Sequence, residues 1–304
     1  MKTRRRTDLC LVVCGILIWF LADTSHIRMA ATKALSLCGG TVIPSLFPFM
    51  VMSTLLVSLG FGEWISPCFS GLMTSLFRLP GAAGSALILG LIGGYPIGAR
   101  TAGDLYRSGL LTREEAERLL MFCNNSNPAF LISVLGAGIF GSLRIGVWLW
   151  LIHILSALLT GILFRSKPSA PTRYSRAATS QPRSFAVIFV ESVRNSAAVM
   201  LSVCAFVVLF YVMASPFTAL GGKLGSVLVG VTELFSLTPL LTPDAFSFIL
   251  ASGCAGWGGL SVLCQSAAVL DGTALRLRSC LLGKMVQGLL AAFLAFLLAR
   301  FVLK

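Results

Sequence analysis

The chain has 304 residues, of which 56% are hydrophobic and only 12% are charged, and its mean hydropathy is +0.89. A soluble globular domain contains about 45–50% apolar and about 25% charged residues, so this composition excludes an ordinary soluble domain. The net charge of +13 does not favour nucleic acid as a partner, because the basic residues stand at the ends of apolar runs and in one linker.

The apolar residues form long uncharged runs, and a helix that spans the bilayer needs about 20 of them. The runs are 34–62, 79–99, 145–164, 195–222 and 245–270, and a basic-flanked run at 279–302 follows. At the amino terminus, Lys2 and three arginines precede a run at 9–22, which resembles a secretory signal but lacks small residues at both cleavage positions. We therefore predict a retained first spanning helix in an all-α, polytopic transmembrane protein.

The first half contains two interruptions of apolar helices. The segment 81–93 is too short to span, and it runs into a glycine and proline turn at 94–98 and a polar return that contains Arg100. This pattern predicts a re-entrant helical hairpin, which is tolerated at membrane depth only where protein or a cavity surrounds it. Further on, four consecutive polar residues at 124–127 interrupt a second helix.

The second half repeats this order of features after a basic, proline-containing stretch at 165–184. A glycine-rich segment breaks at 256–259. This break corresponds in order to the turn at 94–95, so it predicts a second re-entrant hairpin. With a cytoplasmic amino terminus and a cytoplasmic linker, the two repeats are inverted, and Arg276 and Arg278 are among the few basic residues outside. The predicted organisation is an anchor at 1–26, repeats at 27–164 and 185–304, and the linker at 165–184 between them.

Glu233 is an acidic residue in the otherwise apolar stretch 229–235. An ionised carboxylate inside a membrane is costly unless it is paired or faces water, so it is interpreted as functional by default. We predict cation or proton coupling, or a hydrogen bond to a polar solute, and Lys284 of the last span is a candidate partner. The alternative is an interfacial glutamate near a helix end.

The other predicted solute-binding residues lie at the breaks. Amides and hydroxyls at half-helix ends bind ions and polar ligands, although a capping loop at the bilayer surface would have the same composition. Glycine turns allow close approach of a ligand or of a neighbouring helix, and both interpretations stay open. The predicted set is Asn124, Asn125, Ser126, Asn127, Gly94, Tyr95, Gly98, Gly258, Gly259, Ser261, Gln265 and Glu233.

Several of these segments resemble the sporulation integral membrane protein family (YlbJ-like), over about residues 30 to 300. The segments are 44–49 (PSLFPF), 94–99 (GYPIGA), 117–130 with its NSNP core, and 258–262 (GGLSV) followed by Gln265. The resemblance implies a bacterial inner-membrane protein associated with endospore formation, with a nucleoside-recognition Gate domain in each half. Gate domains are similar to segments of nucleoside transporters and ferrous-iron permeases, but this branch implies no particular solute.

The predicted function is a transporter or permease-like protein for a small polar solute. The alternative is a membrane scaffold or assembly factor for the spore envelope. The sequence contains no nucleophile and base pair, phosphate-binding loop or metal-ligand cluster, so no enzyme activity, cofactor or metal is expected. The expected partners are the lipid bilayer, the solute and a coupling cation, with no nucleic acid, and the chain could also form homo-oligomers.

Overall fold

The computed structural model describes residues 2–166 and 184–303, and of residues 2–6, 62 and 63 it describes the backbone alone. Throughout these two ranges the chain is helical and contains no strand. The predicted linker at 165–184 lies almost wholly outside the described residues. The side chains of the basic residues that precede the first apolar run also lie outside the described part of the chain.

The helices follow one another with short connections. They are α1 (Lys2–Ala22), α2 (Thr24–Leu37), α3 (Ile43–Ser58), α4 (Phe61–Leu72), α5 (Ala83–Gly93), α6 (Ile97–Arg107), α7 (Arg113–Leu119), α8 (Leu143–Leu163), α9 (Phe185–Ala219), α10 (Gly222–Thr232), α11 (Leu234–Leu237), α12 (Ala245–Trp257), α13 (Gly259–Val269) and α14 (Leu277–Val302). Three π-helical segments (Cys38–Val42, Met73–Phe77 and Ala129–Ile139) and a short 3₁₀ turn (Thr238–Leu240) complete the described chain.

Five continuous helical stretches are long and apolar enough to cross a bilayer. They are Thr24–Ser58, Leu143–Leu163, Phe185–Ala219, Ala245–Val269 and Leu277–Val302. Large apolar side chains point outward from several of them; Leu201, Leu289 and Phe301 are each more than 70% exposed. Apolar groups are stable on the outside of a protein only where lipid or another apolar surface covers them. The prediction of an all-α, multi-pass membrane protein is confirmed.

The two longest stretches pack against each other in opposite directions. Thr24–Ser58 and α9 contain 35 residues each. Near the middle, the Cys38 sulfur lies 3.9 Å from the carbonyl oxygen of Cys204. Farther along, the Ser196 hydroxyl donates to the Thr54 hydroxyl oxygen at 3.2 Å. Because the partner number falls as the residue number rises, the two stretches run antiparallel.

The pair α5 and α6 folds back around the turn at 94–96. Each helix has 11 residues, so each is about 16 Å long, roughly half the hydrocarbon thickness. Two glycines allow the close packing: a Cβ on Gly90 would lie 3.0 Å from the Cα of Gly98. The turn itself uses Gly94 at φ 80° and a cis bond between Tyr95 and Pro96.

The second predicted hairpin, at 256–259, is wrong, because α12 and α13 do not fold back on each other. The Ser252 hydroxyl bonds the Ala291 carbonyl at 3.2 Å, and Gly256 packs against the Gln287 carbonyl. Beyond the turn, Ser266 and Lys284 bond the same residue, Asn124. The chain therefore continues along α14 on both sides of the turn, as one broken span.

The folded-back pair of the second half is instead α10 and α11. A Cβ on Gly230 would lie 2.9 Å from the Cδ2 of Leu237, so the two short helices are in contact, and Glu233 is the residue between them. This pair is not recognisable when the two halves of the sequence are compared, because α11 has only four residues. Glycine and tryptophan at the later break were the more conspicuous signal.

Arg276 also lies on a different face of the molecule from the predicted one. The backbone N–H of Arg276 donates to Glu117 at 3.0 Å, and the neighbouring Arg118 donates to the carbonyl of Ser166 at 3.4 Å. Arg276 therefore lies on the same face of the molecule as Ser166, which precedes the linker. We call it the linker face; placing Arg276 on the opposite face was wrong.

Candidate functional site

The polar residues at 124–127 form the first break, between α7 and the π-helix Ala129–Ile139. All four are buried, with at most 2% of their surface exposed, so they do not form a loop on the surface of the protein. Asn127 caps the following helix, because its side-chain oxygen accepts from the backbone N–H of Phe130 at 2.8 Å. Its amide also donates to the carbonyl of Ser45 at 3.0 Å, which ties the break to α3.

The other residues of this break bond to two further helices, α13 and α8, and to the turn that precedes the break. The Asn124 amide donates to the Ser266 hydroxyl at 2.8 Å, and the Asn125 amide donates to the carbonyl of Phe122 at 2.8 Å. The backbone N–H of Ser126 donates to Nε2 of His153 at 3.0 Å. His153 is thus a packed, hydrogen-bonded histidine. The side-chain oxygen of Asn124 is buried without a partner.

Lys284 and Gln287 of α14 reach the first break from the second half of the chain. The Lys284 ammonium donates to the Asn124 carbonyl and to the Gln287 side-chain oxygen, each at 2.9 Å. The Gln287 amide in turn donates to the Asn125 side-chain oxygen at 2.8 Å. Both residues are fully buried. These bonds join the two halves of the chain at the first break.

The expected pairing of Lys284 with Glu233 does not occur. Within the described ranges the side chains that form ion pairs are Arg107 with Asp104 and Arg113 with Glu117. Glu233 instead accepts from the backbone and the hydroxyl of Ser236, the latter at 2.7 Å. Sequence spacing does not show how deep either residue lies in the membrane. In the structure Lys284 contacts the first break, whereas Glu233 lies against Gly259.

The turn of the first hairpin lies against the first break. A Cβ on Gly94 would lie 3.0 Å from the Cβ of Asn127, and one on Gly98 would lie only 2.0 Å from the carbonyl oxygen of Cys123. Tyr95 lies under the Lys284 ammonium, 5.0 Å from nitrogen to ring centroid, and its hydroxyl donates to the carbonyl of Ala255. These glycines serve close packing of the hairpin on the break.

The second break, at 257–259, lies against Glu233. Gly258 and Gly259 have φ of 86° and 85°, which L side chains rarely adopt. A Cβ on Gly259 would lie 3.2 Å from the Cα of Glu233, and one on Gly258 would lie 3.5 Å from the Tyr95 ring. The break therefore touches both turns, that of α5 and α6 and that of α10 and α11.

Glu233 has unused hydrogen-bonding capacity. Its side chain is fully buried, and Oε2 accepts both bonds from Ser236, whereas Oε1 has no partner. A buried carboxylate oxygen without a partner costs free energy, of order 1–3 kcal/mol or more. Nearby, the Gln265 amide donates to the Ser261 hydroxyl at 3.1 Å, one turn after the break.

The structure thus brings the predicted residues together in two adjoining groups. The first contains Gly94, Tyr95, Gly98 and Asn124 to Asn127; the second contains Glu233, Gly258, Gly259, Ser261 and Gln265. The prediction omitted Lys284, Gln287, Ser266 and Ser236 as members. The spacing of Lys284 and Gln287, three apart in an apolar helix, was a signal that could have found two of them.

Two clefts lie beside these groups. The cleft on the linker face has a volume of about 400 Å³ and lies between α6, α9 and α13; its walls include Arg100, Asn195 and Ser202, and it reaches Pro96 and Gln265. The cleft on the opposite face, about 560 Å³, lies between Thr24–Ser58, the π-helix Ala129–Ile139 and the 3₁₀ turn. It reaches Ser45, whose carbonyl binds Asn127.

Two comparisons with known proteins find matches. A family model described as Gate, nucleoside recognition, matches residues 40–143. The sporulation integral membrane protein YlbJ of Bacillus subtilis (strain 168) is 28% identical over 320 aligned positions, which cover 88% of this chain and 76% of the relative. No solved structure matches the chain. The Gate match contains the first hairpin and the first break, so it includes half of the candidate site.

Proposed function

We propose that the chain is a permease-like protein of endospore formation that moves a small polar solute. Its match to the Gate model and its similarity to the sporulation integral membrane protein YlbJ support this proposal. The observation that carries the proposal is the pair of clefts. One reaches Gln265, which follows the second break, and the other reaches Ser45, whose carbonyl binds Asn127 of the first break. In this proposal they open to opposite faces of the membrane. A solute that exchanged between them would cross the membrane without chemical change, so the proposal includes no enzyme activity.

In this proposal the two halves of the chain form an inverted repeat. Four units recur in order: a 35-residue span, a folded-back short pair, a broken span and an unbroken span. They are Thr24–Ser58, α5 with α6, α7 with the π-helix, and α8 in the first half, and α9, α10 with α11, α12 with α13, and α14 in the second. Inverted repeats with discontinuous helices are typical of secondary transporters, whose sites lie at the repeat interface.

The clefts obey the same correspondence. The linker-face cleft is lined by the second arm of one folded-back pair, by a 35-residue span and by the second half of a broken span, namely α6, α9 and α13. The opposite cleft is lined by the other 35-residue span, by the second half of the other broken span and by the 3₁₀ turn that follows α11. In this proposal the two short pairs enter the membrane from opposite faces as re-entrant hairpins, and their small movements open one cleft and close the other.

The arginines on the linker face support its orientation towards the cytoplasm. Arg118 lies beside Arg78 and Ser166, Arg113 pairs with Glu117, and Arg107 bonds the carbonyl of Asp271. Cytoplasmic loops carry an excess of basic residues. We therefore propose that the linker and the adjoining ends of α6 and α7 are cytoplasmic, and that the basic amino terminus is cytoplasmic too.

In the proposed mechanism, Glu233 contacts the solute or a coupling cation through Oε1. The oxygen is available because Oε2 alone accepts the bonds from Ser236. Gln265 lines the linker-face cleft and donates to Ser261, and in this mechanism the two polar side chains guide the solute. Asn124 offers a second unused oxygen at the first break.

Transport by purified protein in liposomes tests the proposal. Uptake of labelled uridine, adenosine, glutamate and glucose is measured for the wild type, for Glu233→Gln and for Glu114→Gln, an exposed control on α7. We expect uptake of at least one probe class by the wild type and the control, and a loss of at least tenfold for Glu233→Gln. Glutamine keeps the shape of the side chain but removes its charge, so folding should be retained.

Complementation of sporulation in a deletion strain separates this proposal from a scaffold or assembly factor for the spore envelope. A scaffold needs neither cleft nor a buried carboxylate. If Glu233→Gln inserts normally and restores sporulation fully, and no probe is taken up, the permease proposal is wrong and the scaffold remains.

A further inference from the structure

Lys284 is a fully buried ammonium group inside a membrane-spanning helix. It is the eighth residue of α14, about 10 Å along the helix axis, which places it well inside the apolar part of the span. Its side chain has no exposed surface. Charged groups at such depth are rare, and they are retained where they are paired or have a function.

The groups around this ammonium carry no negative charge. It donates to the carbonyl oxygen of Asn124 and the side-chain oxygen of Gln287 at 2.9 Å each, and its nitrogen lies 5.0 Å from the centroid of the Tyr95 ring. Among the described side chains no carboxylate comes within 4 Å of it. Two neutral oxygens and an aromatic face are the groups that bind a free monovalent ammonium or alkali cation.

These ligands come from three elements of both repeats. Asn124 lies at the first break, Tyr95 at the turn between α5 and α6, and Gln287 on α14. Gln287 and Asn124 are each also held by a bond from the side-chain amide to a residue other than Lys284. The Gln287 amide bonds Asn125 at 2.8 Å, and the Asn124 amide bonds Ser266 at 2.8 Å. The shell is therefore built independently of the lysine, which only fills it.

We infer that Lys284 acts as a tethered monovalent cation, whose ammonium occupies a cation site between the first break, the first turn and α14. The site takes a free primary alkylammonium ion when the side chain is cut back to alanine. This inference does not depend on transport. It means that a coupling cation from solution, if the protein uses one, binds elsewhere, because this site is already filled by the chain.

Chemical replacement of the side chain tests the inference in the full-length protein. Lys284→Ala removes three methylenes and the ammonium, so propylammonium is the missing fragment and propan-1-ol is its neutral counterpart. Thermal unfolding in detergent is followed with each compound at equal concentration and ionic strength. We expect a midpoint several degrees below the wild type, raised by propylammonium with the logarithm of its concentration and not raised by propanol.

Lys223→Ala is the matched control. Lys223 also lies over an aromatic ring, that of Phe246 at 5.1 Å, but it is exposed. Propylammonium should not raise the midpoint of this variant or of the wild type. The inference is overturned if propanol restores Lys284→Ala as well as propylammonium does, or if neither compound has an effect.

A second variant decides the matter if Lys284→Ala does not fold. Lys284→Met keeps most of the volume and leaves the oxygens of Asn124 and Gln287 without a donor. We expect it to unfold below the wild-type midpoint. A methionine variant that is as stable as the wild type, or more so, would show that the site does not require a cation.

Discussion

The two broken spans interrupt a helix in different ways. At the first break the freed backbone and side-chain groups are bonded by other residues: Asn125 to Phe122 and Gln287, and Asn127 to Phe130 and Ser45. At the second break the chain turns through Gly258 and Gly259, with positive φ and close backbone contacts. The first break is fixed by hydrogen bonds, and the second by packing.

This difference shows that the number of polar residues is a poor guide to where a ligand binds. Most groups of the asparagine segment are already engaged within the protein, and only the side-chain oxygen of Asn124 is unused. The glycine break has fewer polar groups, yet it contacts Glu233, whose Oε1 is also unused. The predicted roles of Asn125 and Asn127 in solute binding stay predictions, since a solute would have to displace internal bonds.

The largest effect is expected from Gly98→Ala, which would separate the first turn from the first break. The added Cβ would lie 2.0 Å from the carbonyl oxygen of Cys123 and 2.9 Å from the Cα of Asn124. Both are backbone atoms, which cannot rotate away as a flexible side chain can. We expect a loss of more than about 4 kcal/mol in the free energy of unfolding. The measurement is the yield of folded, monodisperse protein in detergent.

Gly39→Ala is the control for this substitution. Gly39 lies in the π-helical segment Cys38–Val42, and a Cβ there meets nothing within 4 Å. Its effect should stay within about 0.5 kcal/mol. If Gly98→Ala folded as well as Gly39→Ala, α5 and α6 would not pack on the first break as described.

The second effect in size concerns the hydrogen bonds of the first break. Asn125→Ala leaves the Phe122 carbonyl and the Gln287 amide buried without partners. Each unpaired buried group costs about 1–3 kcal/mol, so the variant should lose at least about 2 kcal/mol of unfolding free energy. Denaturant unfolding of the single and double variants with Gln287→Ala measures it.

The double variant checks that the bond is the cause. Once Gln287 is removed, part of the cost of Asn125→Ala disappears, and the two effects should be non-additive by about 1 kcal/mol. Additive effects would mean that Asn125 and Gln287 stabilise the protein independently, and the two halves would then not be coupled at this point.

The sequence predicted apolar runs within all five long helical stretches and the location of both breaks, but not how the breaks fold. The predicted span at 9–22 is not among the five. Apolar length alone identifies a span such as α8, since about 20 such residues are required. Whether a glycine break reverses the chain depends on which helix lies beside it. Gly256 fits against α14, so α12 and α13 continue as one span. Sequence spacing does not contain that information.

The site was predicted in the same uneven way. Glu233 was identified because a carboxylate in an apolar run is costly. Its contacts were not predicted, because Ser236 and Gly259 become its neighbours through a local turn and a contact between distant helices. Lys284 was identified as unusual, but it was assigned the wrong partner, because charge alone suggests an acid and not a carbonyl oxygen.

The smallest effect is expected from Gly259→Ala at the second break. Alanine at φ +85° costs about 1–2 kcal/mol of unfolding free energy. The Cβ would also lie 3.1 Å from the Thr232 carbonyl oxygen and 3.2 Å from the Cα of Glu233, so Glu233 must shift by a few tenths of an ångström. Gly272→Ala is the matched control, because it has φ +72° and no atom within 4 Å of its Cβ.

Both variants should therefore lose similar stability in denaturant unfolding, but only Gly259→Ala should impair function in the complementation assay. Equal rescue by the two variants would mean that the position of Glu233 against the break does not matter. The functional part of the site would then lie at the first break. Impaired rescue by Gly259→Ala alone would place it at the second break, where packing holds a carboxylate with an unused oxygen.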